Sequence, residues 1–153
     1  MVTGVRIALD VGTVRIGVAK CDPEGLLATP LVTVAAGTDA VAQISGLIAE
    51  HNAICVYIGK PISLAGKNTA STLSALEFAR DLATQLGELP VAIRLIDERL
   101  STVSAQRGMH EAGRNTKQSR DAIDQAAAVV ILEHALASER HAGDLVGEAV
   151  NEL

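Results

Sequence analysis

Apolar residues arrive in short runs in the first third of the chain and then shift to a helical period. Residues 5–10 and 16–20 read as two strands joined by a tight loop containing Gly12, hence a hairpin. Residues 26–35 (Leu-Leu-Ala-Thr-Pro-Leu-Val-Thr-Val-Ala) form a third strand, and Pro30 places it at a sheet edge. From Asp39 to His51 the apolar positions Val41, Ile44, Leu47 and Ile48 mark a helix face. Residues 54–59 are a short, wholly apolar strand of the kind covered on both faces.

After a loop through Gly66, residues 71–86 return to a helical period, with Gly87 as the C-terminal cap. Residues 91–96 are the next strand and end in Asp97-Glu98. Ser101 caps a helix reaching about Ala112, a loop covers 113–117, and a last helix spans 118–140. The order β-β-β-α-β-α-β-α-α predicts a five-stranded mixed α/β sheet. An antiparallel meander is extended by two parallel strands, with helices on both faces. One domain through residue 140 is expected, followed by a loosely held tail from 141 to 153.

Composition narrows the chemistry. With 153 residues, one core can be buried. Aromatics make up only 1% of the chain, so Val, Ile, Leu and Ala must fill that core, and stacking platforms for unpaired bases are lacking. A net charge of −5 argues against a general basic coat for nucleic acid. No charged leader and no apolar run of about 20 residues appears, so a cytoplasmic protein with no membrane partner is expected. Cys21 and Cys55 lack metal-ligand spacing and read as reduced thiols, with a regulatory disulfide between them as the lesser reading.

Three carboxylates stand where a charge needs a reason. Asp10 closes the first strand, Glu98 follows the last, and Asp124 shares a helix row with Ala127, Ala128 and Ile131. Asp121 lies further round, toward solvent. Ligands of open sheets collect beyond the carboxyl ends of parallel strands, where Asp10 and Glu98 both lie. Taken singly, Asp10 reads as a turn former, Glu98 as a partner of Arg99, and Asp124 as a solvated helix residue. Taken together, they are hard oxygen ligands for Mg²⁺ or Mn²⁺. Two such ions, roughly 4 Å apart, activate water and stabilise a leaving oxyanion in phosphodiester cleavage.

These residues also carry a resemblance. Ala8-Leu9-Asp10-Val11-Gly12-Thr13 with Ile16-Gly17-Val18-Ala19 comes first. Ile58-Gly59-Lys60-Pro61 with Gly66, then Asp97-Glu98-Arg99-Leu100-Ser101-Thr102-Val103, then Ile123-Asp124 with 126–132 follow in order. Together they resemble the YqgF (RuvX) family of pre-16S rRNA nucleases and Holliday-junction-resolvase-like proteins. The resemblance implies an RNase H-like fold and metal-dependent phosphodiester hydrolysis, with Asp10, Glu98 and Asp124 as catalytic and metal-binding residues. The mechanism expected from the three carboxylates is a two-metal Mg²⁺ or Mn²⁺ site in which Asp10 bridges the ions and Glu98 and Asp124 each complete one side. The resemblance also implies processing of the 5′ end of pre-16S rRNA, with resolution of branched DNA as the alternative, and pre-ribosomal particles and a homodimer as partners. The family commonly has a basic residue at the position of Val14 and Leu at the position of Lys60.

Arg15, Lys60, Lys67, Arg99, Lys117 and Arg120 are the expected substrate-binding residues, on loops or helix starts near the cleft. Arg94 and Arg107 are expected on solvated faces. Gly66-Lys67 fails the spacing of a phosphate-binding loop, Ser101 and Thr102 are caps, and His51, His110, His134 and His141 show no ligand spacing. Asp10 to Gly17 also resembles the phosphate hairpin of actin-like ATPases and sugar kinases, which need two such lobes. A non-catalytic RNA- or ribosome-binding module is the third reading, and it leaves the three carboxylates without a task.

Overall fold

The computed structural model describes residues 2–61, 66, 68–98 and 117–150, with the backbone path alone for 117–119. The strands are β1 (Arg6–Val11), β2 (Arg15–Cys21), β3 (Ala28–Ala35), β4 (Cys55–Lys60), β5 (Ala92–Asp97) and β6 (Glu148–Ala149). The helices are α1 (Ala40–His51), α2 (Ala70–Leu86) and α3 (Lys117–Ala142). The predicted helix over 101–112 lies outside the described residues.

The strands form one sheet in the order β3-β2-β1-β4-β5-β6. β2 runs antiparallel to both β1 and β3, whereas β4 runs parallel to β1 and β5. The meander and the two crossovers are as expected. β3 is the edge strand that Pro30 requires, and the register slips beside Pro30, between Val18 and Ala19 of its partner.

The expected five strands become six. Glu148–Ala149 of the tail pairs antiparallel with Arg94 and Leu95 on the outer edge of β5. A two-residue strand has no readable periodicity, so the pattern alone missed it. The tail reaches β5 because Gly147, at φ 83°, turns where a Cβ would meet the Leu95 carbonyl oxygen at 2.6 Å. Val150 then packs against the core, and α3 itself runs two residues past Arg140.

Strand alternation divides the interior in two. Ile7 and Leu9 of β1, Val56 and Ile58 of β4, and Ile16 and Val18 of β2 face Ile44 and Ile48 of α1 and Ala75, Ala79 and Leu82 of α2. Ala8, Ala19 and Tyr57 face Ala128, Ile131, Leu132 and Ala135 of α3. Every second residue of β1 therefore meets α3, which gives Arg6, Ala8 and Asp10 to that side. The Arg6 guanidinium donates to Glu139 Oε1 at 2.7 Å and to the carbonyls of Gly4 and Pro23, and Tyr57 Oη donates to Glu139 Oε2. The ion pair is buried at the amino end of β1.

Cys21 and Cys55 flank Arg6. Cys55 pairs with Arg6 in the sheet, and the Arg6 amide donates to Cys21 Sγ at 3.4 Å. Two strand spacings, roughly 10 Å, separate the thiols, beyond the roughly 7 Å a disulfide tolerates between Cα atoms. Both cysteines are free and buried, so the regulatory disulfide is ruled out in this fold.

Candidate active site

At the carboxyl end of β1, Asp10 sits on the α3 face with only 5% of its surface exposed. A carboxylate so placed is flanked by two glycines. Gly17 of β2 is its direct partner in the antiparallel ladder. Gly59 of β4 follows Ile58, the partner of Leu9, and so lies beside Asp10 on the other side.

Each glycine leaves room for another acidic residue. A Cβ on Gly17 would collide with the Asp124 carbonyl oxygen, so the missing side chain is what lets α3 seat against β2. A Cβ on Gly59 would stand 2.7 Å from Glu98 Cδ and 2.8 Å from Glu98 Oε1. The Glu98 carboxylate thus lies over Gly59. Its backbone amide donates to the Lys60 carbonyl oxygen at 3.1 Å, which carries the β5 pairing one residue past the strand.

The result is a row across the sheet: Asp124 over β2, Asp10 on β1, Glu98 over β4. Neighbouring strands lie roughly 4.8 Å apart, so the row is short. All three residues are buried, and Asp124 is 2% exposed. The helix face expected for Asp124 is the one observed, continuous with Ala127, Ala128 and Ile131. Asp121 is half-buried, and its carbonyl oxygen accepts from Thr33 Oγ1 at 3.1 Å. Gln125 Nε2 donates to the same Thr33 hydroxyl, tying the start of α3 to the edge strand.

The basic residues distribute less simply. Arg15 Nε donates to Asp124 Oδ2 at 2.6 Å, a partner the pattern did not reveal. Lys60 is one residue past Gly59 and so points to the opposite face of the sheet, where its Nζ lies 3.7 Å from Glu148 Oε2. Arg120 is exposed on α3. Arg94 reaches the Gly147 carbonyl oxygen at 3.4 Å. Lys67, Arg99 and Arg107 lie outside the described residues, and Lys117 is described by its backbone alone. Gly17 and Gly59 were not singled out from the sequence; the signal that could have found them is a glycine inside an apolar run, which marks a close approach of another segment.

Three buried carboxylates are brought by different elements to one end of the sheet, and each offers oxygen donors. Their chemistry fits a hard divalent cation. Among the described residues no three His, Cys, Asp or Glu side chains form a ready-made metal cluster. Residues that would hold such an ion are Asp10, Glu98 and Asp124.

A mixed sheet with β1 at its centre, helices on both faces and acidic residues at the carboxyl end of β1 defines the RNase H-like class. Solved structures of Thermus thermophilus RuvC share the fold. One, in complex with a Holliday junction substrate, aligns with a TM-score of 0.54 at 15% identity, covering 90% of this chain and 96% of that one. Another aligns at 0.53 and 16% identity, with the same coverage.

Within that class the chain belongs to the RuvX family. The family model described as "RuvX: Holliday junction resolvase" matches residues 4–138. A Clavibacter sepedonicus protein named "Putative pre-16S rRNA nuclease" is 47% identical over 153 residues, covering 98% of this chain and 93% of the relative. A protein of the same name from Streptomyces coelicolor is 47% identical over 150 residues, covering 96% and 88%. Among the described residues no helix is long and apolar enough to cross a membrane.

Proposed function

We propose that this protein is a divalent-metal-dependent nuclease of the cytoplasm that trims the 5′ end of pre-16S rRNA, with Asp10, Glu98 and Asp124 as its metal-binding and catalytic residues. The observation that carries this reading is the row of three carboxylates seated over Gly17 and Gly59. A Cβ at Gly17 would push back the Asp124 backbone, and one at Gly59 would crowd the Glu98 carboxylate and Ile131 alike, so both glycines let acidic residues come close to Asp10. The names of the relatives support the choice of nucleic acid and of rRNA.

A bound Mg²⁺ or Mn²⁺ would supply a polarised water and charge neutralisation at the scissile phosphate. The chain's own part is to hold three buried carboxylates at one end of the sheet, where removal from water strengthens their pull on a cation. Asp10 is central in the row, on the strand between Gly17 and Gly59. With few aromatics, recognition falls to backbone shape and phosphate contacts. Arg99, Lys67, Lys117 and Arg120 are proposed for those contacts, with a pre-ribosomal particle and a second copy of the chain as further partners.

Branched DNA is the second reading, favoured by the family description and by the RuvC-like fold. One experiment separates the two: cleavage of a precursor-rRNA fragment and of a four-way DNA junction, each with Mn²⁺, with Mg²⁺ and with chelator. Metal-dependent cleavage of the RNA alone is expected. Preference for the junction would favour the DNA reading. Asp10→Asn is expected to abolish cleavage, and full activity in that variant would overturn the assignment.

A further inference from the structure

We propose that Arg15 is a built-in stand-in for the metal: it neutralises Asp124 in the metal-free protein and is displaced from that carboxylate when a divalent cation binds. The inference rests on the metal-binding reading of Asp10, Glu98 and Asp124.

Three observations lead to it. Arg15 touches Asp124 through a single bond, Nε to Oδ2 at 2.6 Å, rather than through the two-pronged fork that makes arginine–carboxylate pairs hard to part. The partners also differ in freedom. Asp124 is 2% exposed and its backbone is seated on Gly17, so it stays. The Arg15 side chain is 24% exposed at the first residue of β2, so it is the one able to move. Finally, Arg15 meets Asp124 on the face that carries Asp10 and Glu98, so a cation drawn to this row would compete for the same carboxylate.

A buried carboxylate beside others needs a counter-charge at all times. With no metal, the Arg15 guanidinium contributes to it at Asp124. A dication at Asp124 provides more charge and repels the guanidinium. Val14, next in the chain, is 64% exposed, so this loop opens to solvent. Displacement therefore leaves the guanidinium bordering solvent beside the carboxylates.

The test is calorimetric titration of Mn²⁺, without nucleic acid, into the wild type, Arg15→Gln and Arg15→Lys. Removing a competing cation should tighten Mn²⁺ binding by about tenfold in Arg15→Gln, the lower end of what a charge-assisted hydrogen bond supplies. Arg15→Lys retains a competing charge and should bind nearly as the wild type does. Melting should agree: Arg15→Gln below wild type in chelator, with the gap closing in saturating Mn²⁺. A residue that merely holds Asp124 in place predicts the opposite sign. Unchanged or weaker Mn²⁺ binding in Arg15→Gln, while the wild type binds, would overturn the stand-in role and leave the metal reading intact. Absence of Mn²⁺ binding by the wild type would overturn both.

Discussion

Asp121 and Asp124 differ by three positions on one helix, and that difference sorts their chemistry. Asp124 lies on the buried stripe, accepts from Arg15 and stands beside Asp10, whereas Asp121 is half-buried and shows its main chain to Thr33. Asp124→Asn should therefore lower cleavage by at least two orders of magnitude, in the range seen when a transition-state stabiliser is lost. Asp121→Asn should remain within a few-fold of wild type. Equal losses in the two variants, measured as kcat/KM on one substrate, would show that the helix face has been misassigned. Gly59 offers a companion change. In Gly59→Ala the new methyl contests the space of Glu98 and of Ile131 Cδ1, both 2.7 Å from it. Cleavage and Mn²⁺ affinity should both fall, because the ends of the Glu98 and Ile131 side chains must shift to make room.

At the scale of elements, α3 is fastened to the sheet by charge at both ends. Its buried stripe runs from Asp124 through Ala128, Ile131 and Ala135 to Glu139. Asp124 meets Arg15 at one end; Glu139 meets Arg6 and Tyr57 at the other. Removing one partner of a buried pair leaves the other charge uncompensated, at a cost of roughly 3–5 kcal/mol. Glu139→Ala should be destabilised by about that much in urea unfolding, while the double variant Arg6→Met with Glu139→Leu should recover most of it. If the double variant is as unstable as the single, the pair holds α3 by more than mutual neutralisation. The stripe shows why part of this architecture was readable in advance and part was not. The apolar period placed α3, and the strand-end and helix-face positions of Asp10, Glu98 and Asp124 anticipated their shared neighbourhood. The pairs Arg15–Asp124, Arg6–Glu139 and Lys60–Glu148 join residues far apart in sequence, and no local pattern encodes a contact of that separation. Nor did the pattern show that Lys60 ends a strand and lies beside Glu148, because one step along a strand reverses the face.

For the whole molecule, a single consequence of the two-sided burial can be checked by pH. The sheet has helices on both faces, so side chains in its middle are removed from water whatever their chemistry. Burial pushes the Cys55 thiol up to about 12, raises Cys21, and raises the Tyr57 hydroxyl still further. Each of these groups holds its proton more tightly when folded than when unfolded. Their contribution is thus fully present below the ordinary thiol value of 9.0 and is lost as pH rises toward 12. Stability should accordingly be insensitive to these groups from pH 7 to 9 and should fall steeply between 9 and 12. The portion due to Cys55 is on the order of a few kcal/mol, because each pK unit corresponds to about 1.4 kcal/mol. Cys55→Ala isolates it. The variant loses packing and starts lower at pH 7, yet its stability should decline less between pH 9 and 11 than that of the wild type. Parallel curves would show that the thiol is not the group that titrates. A chemical readout accompanies the thermodynamic one, since the thiolate is the reactive form. Neither Cys21 nor Cys55 should react with a disulfide reagent at pH 8 in the folded protein, and both should react once denaturant exposes them.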